Sequence, residues 1–118
     1  MTWTQTHKRW AALRDVRAEI ERRQDGELPW SDTLAEIFET RDQLALALHY
    51  AWMLTLTARV DDAVELDGAG AARLAVRRYS EQTAAVRHVL DQHFATLPGA
   101  ERGIVAAFGG HTFVPTPA

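Results

Sequence analysis

Residues 44–58 read Leu44-Ala-Leu-Ala-Leu-His-Tyr-Ala-Trp-Met-Leu-Thr-Leu-Thr-Ala58 and carry no formal charge. The leucines, alanines and methionine favour an α-helix, and no glycine, proline or run of β-branched residues interrupts them. The segment is shorter than the roughly 18 residues that a membrane span requires. We therefore expect a buried central helix that the rest of the chain covers on nearly every side.

The composition of the whole chain is that of one globular domain. It has 118 residues, of which 47% are hydrophobic and 25% charged, and it contains no cysteine. The net charge of -3 attracts no polyanion, so we predict no nucleic-acid partner. The N-terminus lacks the apolar core of a signal peptide, which predicts a soluble cytoplasmic protein without a membrane partner. Only one of the 13 basic residues is lysine, as is typical of GC-rich bacterial genomes.

The N-terminal part of the chain carries two helix-start signals. Thr2 and Gln5 have capping-box spacing, which predicts a first helix over residues 3–24 that ends at Asp25-Gly26. Pro29 and Ser31 predict a short second helix. The apolar sides of these helices include tryptophans, and we expect all four tryptophans of the chain to meet in or near one core: Trp3, Trp10, Trp30 and Trp52.

The sequence also indicates where the central helix begins and ends and where the next helix turns back along it. Thr40 and Gln43 form a second capping box, which predicts that the central helix starts at residue 41 and runs to about residue 66. The glycine-rich turn over residues 67–70 then reverses the chain. Apolar positions at helical spacing predict one long return helix over residues 71–96.

The predicted fold class is all-α, a small helical bundle with three long antiparallel helices plus two short helices. Residues 1–108 form this single domain, including a short last helix over residues 100–108. Residues 109–118 contain two prolines and form an extended C-terminal tail. Phe113 and Val114 in that tail are the candidate partner-binding residues.

His49 is the one histidine of the apolar segment, and burial should lower its pKa. An inter-helix pocket lined by aromatic side chains would bind a small apolar ligand, and the predicted ligand-binding residues are His49, Trp52 and Tyr79. The alternative is a neutral core histidine that is hydrogen-bonded to one neighbour, such as Tyr79 or a tryptophan indole. The sequence leaves both interpretations open.

Four carboxylates stand at the end of the central helix: Asp61, Asp62, Glu65 and Asp67. Their oxygens suit Mg²⁺ or Ca²⁺, but no spacing typical of a transition-metal site accompanies them. Ion pairs with arginines of the return helix are the simpler expectation, and the arginines in reach are Arg73, Arg77 and Arg78. We predict no metal site and no cofactor.

A second polar group lies on the return helix. Helical periodicity predicts that Arg87, His88 and Asp91 face solvent and that His93 lies nearer the apolar side. His88 and Asp91 are three residues apart and could orient an imidazole ring, but no serine-centred nucleophile motif occurs. We predict no catalytic residue.

The sequence is compatible with three classes of function. We favour a non-enzymatic interaction or scaffold protein that binds itself or a protein partner through a helix face or the tail, because catalytic motifs and cofactor loops are missing. The alternative is a binding module for a small apolar ligand in a pocket near His49. The third is an enzyme or metal protein that uses Asp61, Asp62 and Glu65.

Overall fold

The fold is all-α, as predicted. A computed structural model describes residues 2–96, which contain five α-helices and no strand. The helices are α1 (Trp3–Arg23), α2 (Asp32–Phe38), α3 (Arg41–Asp67), α4 (Ala72–Gln82) and α5 (Ala84–Phe94). The predicted last helix over residues 100–108 and the tail over residues 109–118 lie outside the described residues.

The first capping box sets the start of α1. The Thr2 hydroxyl accepts a hydrogen bond from the Gln5 backbone N–H at 3.1 Å, and the Gln5 side chain accepts one from the Thr2 N–H at 3.0 Å. Two orphan donors of the first turn are thereby satisfied. The C-terminal end differs from the prediction, because Gln24 itself adopts the left-handed conformation with a φ of 52° and ends the helix before Gly26.

The boundaries of α3 are those that the sequence predicts. The Thr40 hydroxyl accepts a hydrogen bond from the Gln43 N–H at 3.1 Å and caps the first turn. Gly68, with a φ of 88°, ends the helix after Asp67. A single 3-10 turn, Ala69–Ala71, then leads directly into α4, which packs against α3.

The predicted long return helix is wrong in one respect, because the chain bends at Thr83 and forms two helices. Thr83 has φ -114° and ψ 23°, outside the helical region, and its hydroxyl donates a hydrogen bond to the Tyr79 carbonyl at 2.7 Å. This back-bonding by threonine bends helices. As a result α4 lies against α3, whereas α5 packs against both α1 and α3.

The core lies between α3 and the helices on one side of it. The fully buried apolar side chains include the following residues: Ile20 of α1, Phe38 of α2, Leu44 of α3, and Val86, Leu90 and Phe94 of α5. The prediction that four tryptophans meet is wrong. Trp52 is buried and Trp30 is half-buried, but Trp10 is exposed and Trp3 is 75% exposed.

The prediction that α3 is covered on nearly every side is also wrong. Leu46, Tyr50 and Leu54 follow one another at four-residue spacing and are 36%, 59% and 44% exposed. We call these three residues the apolar stripe. Although α3 has 27 residues, neither it nor any other helix of residues 2–96 combines the length and hydropathy needed to cross a lipid bilayer.

The buried side of α3 should not tolerate a charge. We expect Leu48→Asp to abolish the cooperative thermal unfolding followed by circular dichroism, because Leu48 is 3% exposed and a carboxylate there has no partner. Leu66→Asp is the control, since Leu66 lies on the same helix and is 81% exposed. A cooperative melt of Leu48→Asp near the parent temperature would contradict this arrangement of the core.

Candidate functional site

The three residues predicted to bind a ligand come together around one indole. Trp52 is 3% exposed, and its ring centroid lies 5.4 Å from that of Tyr79. The His49 ring lies on α3 one turn earlier, 6.5 Å from the indole and nearly parallel to it at 13°. The sequence therefore identified a real cluster of side chains, and ligand binding by that cluster stays a prediction.

Trp52 also connects α3 to the bend in the return helix. Its indole Nε1–H donates a hydrogen bond to the Thr83 hydroxyl oxygen at 2.8 Å. The same hydroxyl donates to the Tyr79 carbonyl, so each of these polar groups is satisfied inside the core. The hydrogen bond holds the bend against the middle of α3.

Arg87 is the site residue that sequence reasoning missed. Its side chain was predicted to face solvent, but the residue is only 8% exposed because α5 is covered by two helices rather than one. Its Nη1 donates to Nδ1 of His49 at 3.0 Å, and its Nη2 lies 2.8 Å from Oδ1 of Asp91. The guanidinium carbon stands 4.9 Å from the centroid of the Trp52 ring. The sequence did contain one indication of this contact. Asp91 lies four residues after Arg87, a spacing at which oppositely charged side chains of a helix can pair.

His49 is held in one neutral form by this neighbour. Arginine has donors only, so Nδ1 of His49 must accept and the ring proton must sit on Nε2. Burial, and to a smaller extent the positive charge of Arg87, lower the pKa of His49 to about 4. The predicted lowering of the pKa is confirmed. The hydrogen-bond partner is Arg87, however, rather than Tyr79 or an indole.

Among the other polar residues of α5, some side chains face solvent and one contacts α3. His88 is exposed, as predicted, whereas Asp91 is half-buried through its contacts with Arg87. His93 Nε2 lies 2.7 Å from Oδ1 of Asp42 and so links the end of α5 to the first turn of α3. These contacts fix how α5 lies on α3 and present no nucleophile.

A cavity of about 190 Å³ lies between α1, α3, α4 and α5. Trp52 and Tyr79 line it, but His49 does not. Aliphatic side chains from three helices complete the wall, and they include Leu13, Leu48 and Val86. Arg14 and Arg17 of α1 also line the cavity; Arg14 is exposed and Arg17 half-buried, which puts both on its solvent side.

Three buried side-chain polar atoms of the cluster lack a hydrogen-bond partner within residues 2–96. They are Nε2 of His49, the hydroxyl oxygen of Tyr79 and Nη2 of Arg87, whose contact with Asp91 is an ion pair. A buried donor without a partner is unfavourable by about 1 to 3 kcal/mol, so such atoms are rare in folded proteins. Tyr79 lines the cavity and is only 4% exposed, which makes its hydroxyl a candidate contact for a bound polar group.

The carboxylates at the end of α3 do not form the ion pairs that the sequence predicts. None of them has a basic nitrogen within 4.0 Å in the part of the chain that is described, although α4 does pack beside them. Arg59, nearby on α3, instead lies 5.7 Å from the centroid of the Tyr79 ring. Within residues 2–96 no group of three or more metal-ligating side chains is placed to hold an ion.

Comparison with known proteins adds no function to this geometry. The chain matches no protein-family model, and no curated protein and no solved structure is significantly similar to it. The predicted partner-binding residues Phe113 and Val114 lie outside the described residues. Function is therefore inferred from the contacts, charges and cavities of residues 2–96.

The buried neutral form of His49 makes the stability of the protein depend on pH. The unfolded chain binds a proton at His49 near pH 6.5, whereas the folded protein binds it only near pH 4. We therefore expect the free energy of unfolding to fall as the pH is lowered through this window, by up to about 3 kcal/mol from this group. Urea unfolding at a series of pH values measures the fall.

Two variants test whether this pH dependence comes from the His49 ring. His49→Gln keeps an acceptor for Arg87 but removes the titratable group, so its stability should fall less over the same window. His7→Gln is the control, because His7 is exposed on α1 and its loss should leave the parent slope unchanged. Equal slopes for the parent protein and His49→Gln would show that His49 is not buried as a neutral ring.

Proposed function

We propose that the protein is a non-enzymatic interaction protein that associates with a second copy of itself through α3. The observation that carries this proposal is the apolar stripe, whose three residues lie on the side of α3 opposite the core. Contiguous exposed apolar patches on a protein surface mark protein–protein interaction sites when they are large. The apolar stripe spans about 12 Å along the 27-residue helix.

The sequence of α3 is complementary to itself when two copies run antiparallel. Pairing about a two-fold axis near residue 52 places Tyr50 opposite Leu54 and Leu46 opposite Ala58. Large side chains then meet smaller ones beyond the central pair, which allows close packing of the helices. The same surface serves both copies, as a closed dimer requires.

The charge distribution along α3 also favours an antiparallel pair. Asp61 and Glu65 lie at the C-terminal end, where the helix dipole disfavours negative charge, and neither forms an ion pair within residues 2–96. An antiparallel neighbour brings the positive end of its own dipole beside them. The amide of Gln43 then lies opposite Asp61 and can donate a hydrogen bond.

We infer a cytoplasmic role in a bacterial cell for this assembly. The absence of cysteine from all 118 residues suits a reducing compartment, and the preference for arginine over lysine suits a GC-rich genome. The net charge of -3 supports a protein partner rather than a nucleic acid.

Self-association is tested by changing one residue of the apolar stripe. We expect the parent protein to sediment as a dimer at micromolar concentration and Leu54→Glu to sediment as a folded monomer, because the two introduced carboxylates would repel each other at the interface. Leu74→Glu is a matched control, since Leu54 and Leu74 are both 44% exposed and Leu74 lies on α4. The control should remain dimeric.

Crosslinking tests the orientation of the pair, because the chain has no cysteine of its own. In the antiparallel pair the two copies of residue 46 lie about 18 Å apart along the axis, whereas residue 46 of one copy lies beside residue 58 of the other. We expect Leu46→Cys and Ala58→Cys to form a disulfide-linked dimer when mixed and none alone. A monomeric parent protein would overturn the proposal, and efficient crosslinking of either variant alone would overturn the antiparallel arrangement.

A further inference from the structure

The cavity beside Trp52 has the size and the lining of a binding site for one aromatic ring. Its volume is about 190 Å³, and an apolar protein cavity of about 150 Å³ is enough to bind benzene. Its inner wall consists of buried side chains, including Leu48, Trp52 and Val86. A flat apolar ring therefore fits the space and has aromatic and aliphatic side chains to contact.

The solvent side of the same cavity carries positive charge. Arg17 is half-buried and forms no ion pair within residues 2–96, and Arg14 has only a distant contact of 3.9 Å with Asp15. Both guanidinium groups are available to an anion, and a planar carboxylate matches the fork of arginine donors. The ligand that fits has an apolar end and an anionic end.

The buried hydroxyl of Tyr79 is a second and independent sign of a ligand. Tyr79 is more than nine-tenths buried, lines this cavity, and its hydroxyl has no hydrogen-bond partner within residues 2–96. A purely apolar occupant would leave this group unsatisfied. A carboxylate attached to the ring carries acceptor oxygens to which this hydroxyl can donate.

We propose that this cavity binds a small monocyclic aromatic carboxylate, with the ring against Trp52 and Tyr79 and the carboxylate at Arg17 and Arg14. The site goes beyond the proposed self-association and does not depend on it. Leu48, Ala51 and Trp52 face the cavity from a different side of α3 than the apolar stripe. A monomeric protein would retain the site.

Benzoate and its neutral isostere benzamide test the ligand class. Binding is followed in the full chain by chemical-shift changes of the indole N–H groups and by isothermal titration. We expect benzoate to bind with a Kd on the order of 1 mM, as the small number of its atoms allows. Benzamide should bind about three- to tenfold more weakly, because it lacks the charge that pairs with the arginines.

Two variants separate the cavity from the charge. Ala51→Leu places a larger side chain in the cavity and should abolish benzoate binding, whereas Ala18→Leu, at an exposed position of α1, should leave it unchanged. Arg17→Gln should reduce benzoate affinity to that of benzamide. Because Arg17 is not part of the core, this variant keeps the test decisive even if Ala51→Leu melts at a lower temperature.

Three outcomes would overturn the proposal. The absence of benzoate-dependent shifts at millimolar concentration would remove the site. Binding to Ala51→Leu as tight as to the parent protein would place the ligand elsewhere. Equal binding of benzoate and benzamide to the parent protein would show that the arginines select no anion, which contradicts the carboxylate class.

Discussion

The structure depends on keeping one positive charge, that of Arg87, inside a helical core. Removing a guanidinium from water is unfavourable by several kcal/mol unless other groups compensate for it. Here the compensation comes from three directions, since the group contacts Nδ1 of His49 at 3.0 Å, the Asp91 carboxylate at 2.8 Å and the face of Trp52 at 4.9 Å. Two of these partners belong to α3, so the contacts of Arg87 hold α5 in position on that helix. The same contact requires a neutral His49.

The bend at Thr83 lets the return of the chain satisfy this requirement. A straight helix from residue 72 to residue 94 would follow α3 along its whole length, whereas the bent chain lets α5 reach α1 as well. The Trp52 indole holds the bend through its 2.8 Å hydrogen bond to the Thr83 hydroxyl. The cavity beside the indole lies where side chains of α1, α3, α4 and α5 meet. The helices of residues 2–96 pack on one side of α3, and the apolar stripe lies on the opposite side.

The sequence predicted the features that are set by neighbouring residues. The capping box at Thr2 and the hydroxyl cap at Thr40 mark the starts of α1 and α3, and the sequence predicted both because a cap is a contact over three positions of the chain. Features set by distant elements could not be predicted in this way. The buried state of Arg87 follows from α5 having two neighbours, and the exposure of Tyr50 reflects a side of α3 that no other helix of residues 2–96 covers. For the candidate site, aromatic composition identified Trp52 and its surroundings, but the cavity is lined from four helices, whose relative positions periodicity does not encode.

The ring nitrogens of His49 test the central contact most directly. Their ¹⁵N chemical shifts, measured near neutral pH on protein labelled at histidine, distinguish the two neutral tautomers from the charged ring. The account predicts one neutral tautomer for His49, with the proton on Nε2 and Nδ1 accepting from Arg87. A charged ring, a proton on Nδ1, or the averaged signal of a freely exchanging imidazole would contradict it, because each of these states removes the acceptor that the buried guanidinium requires.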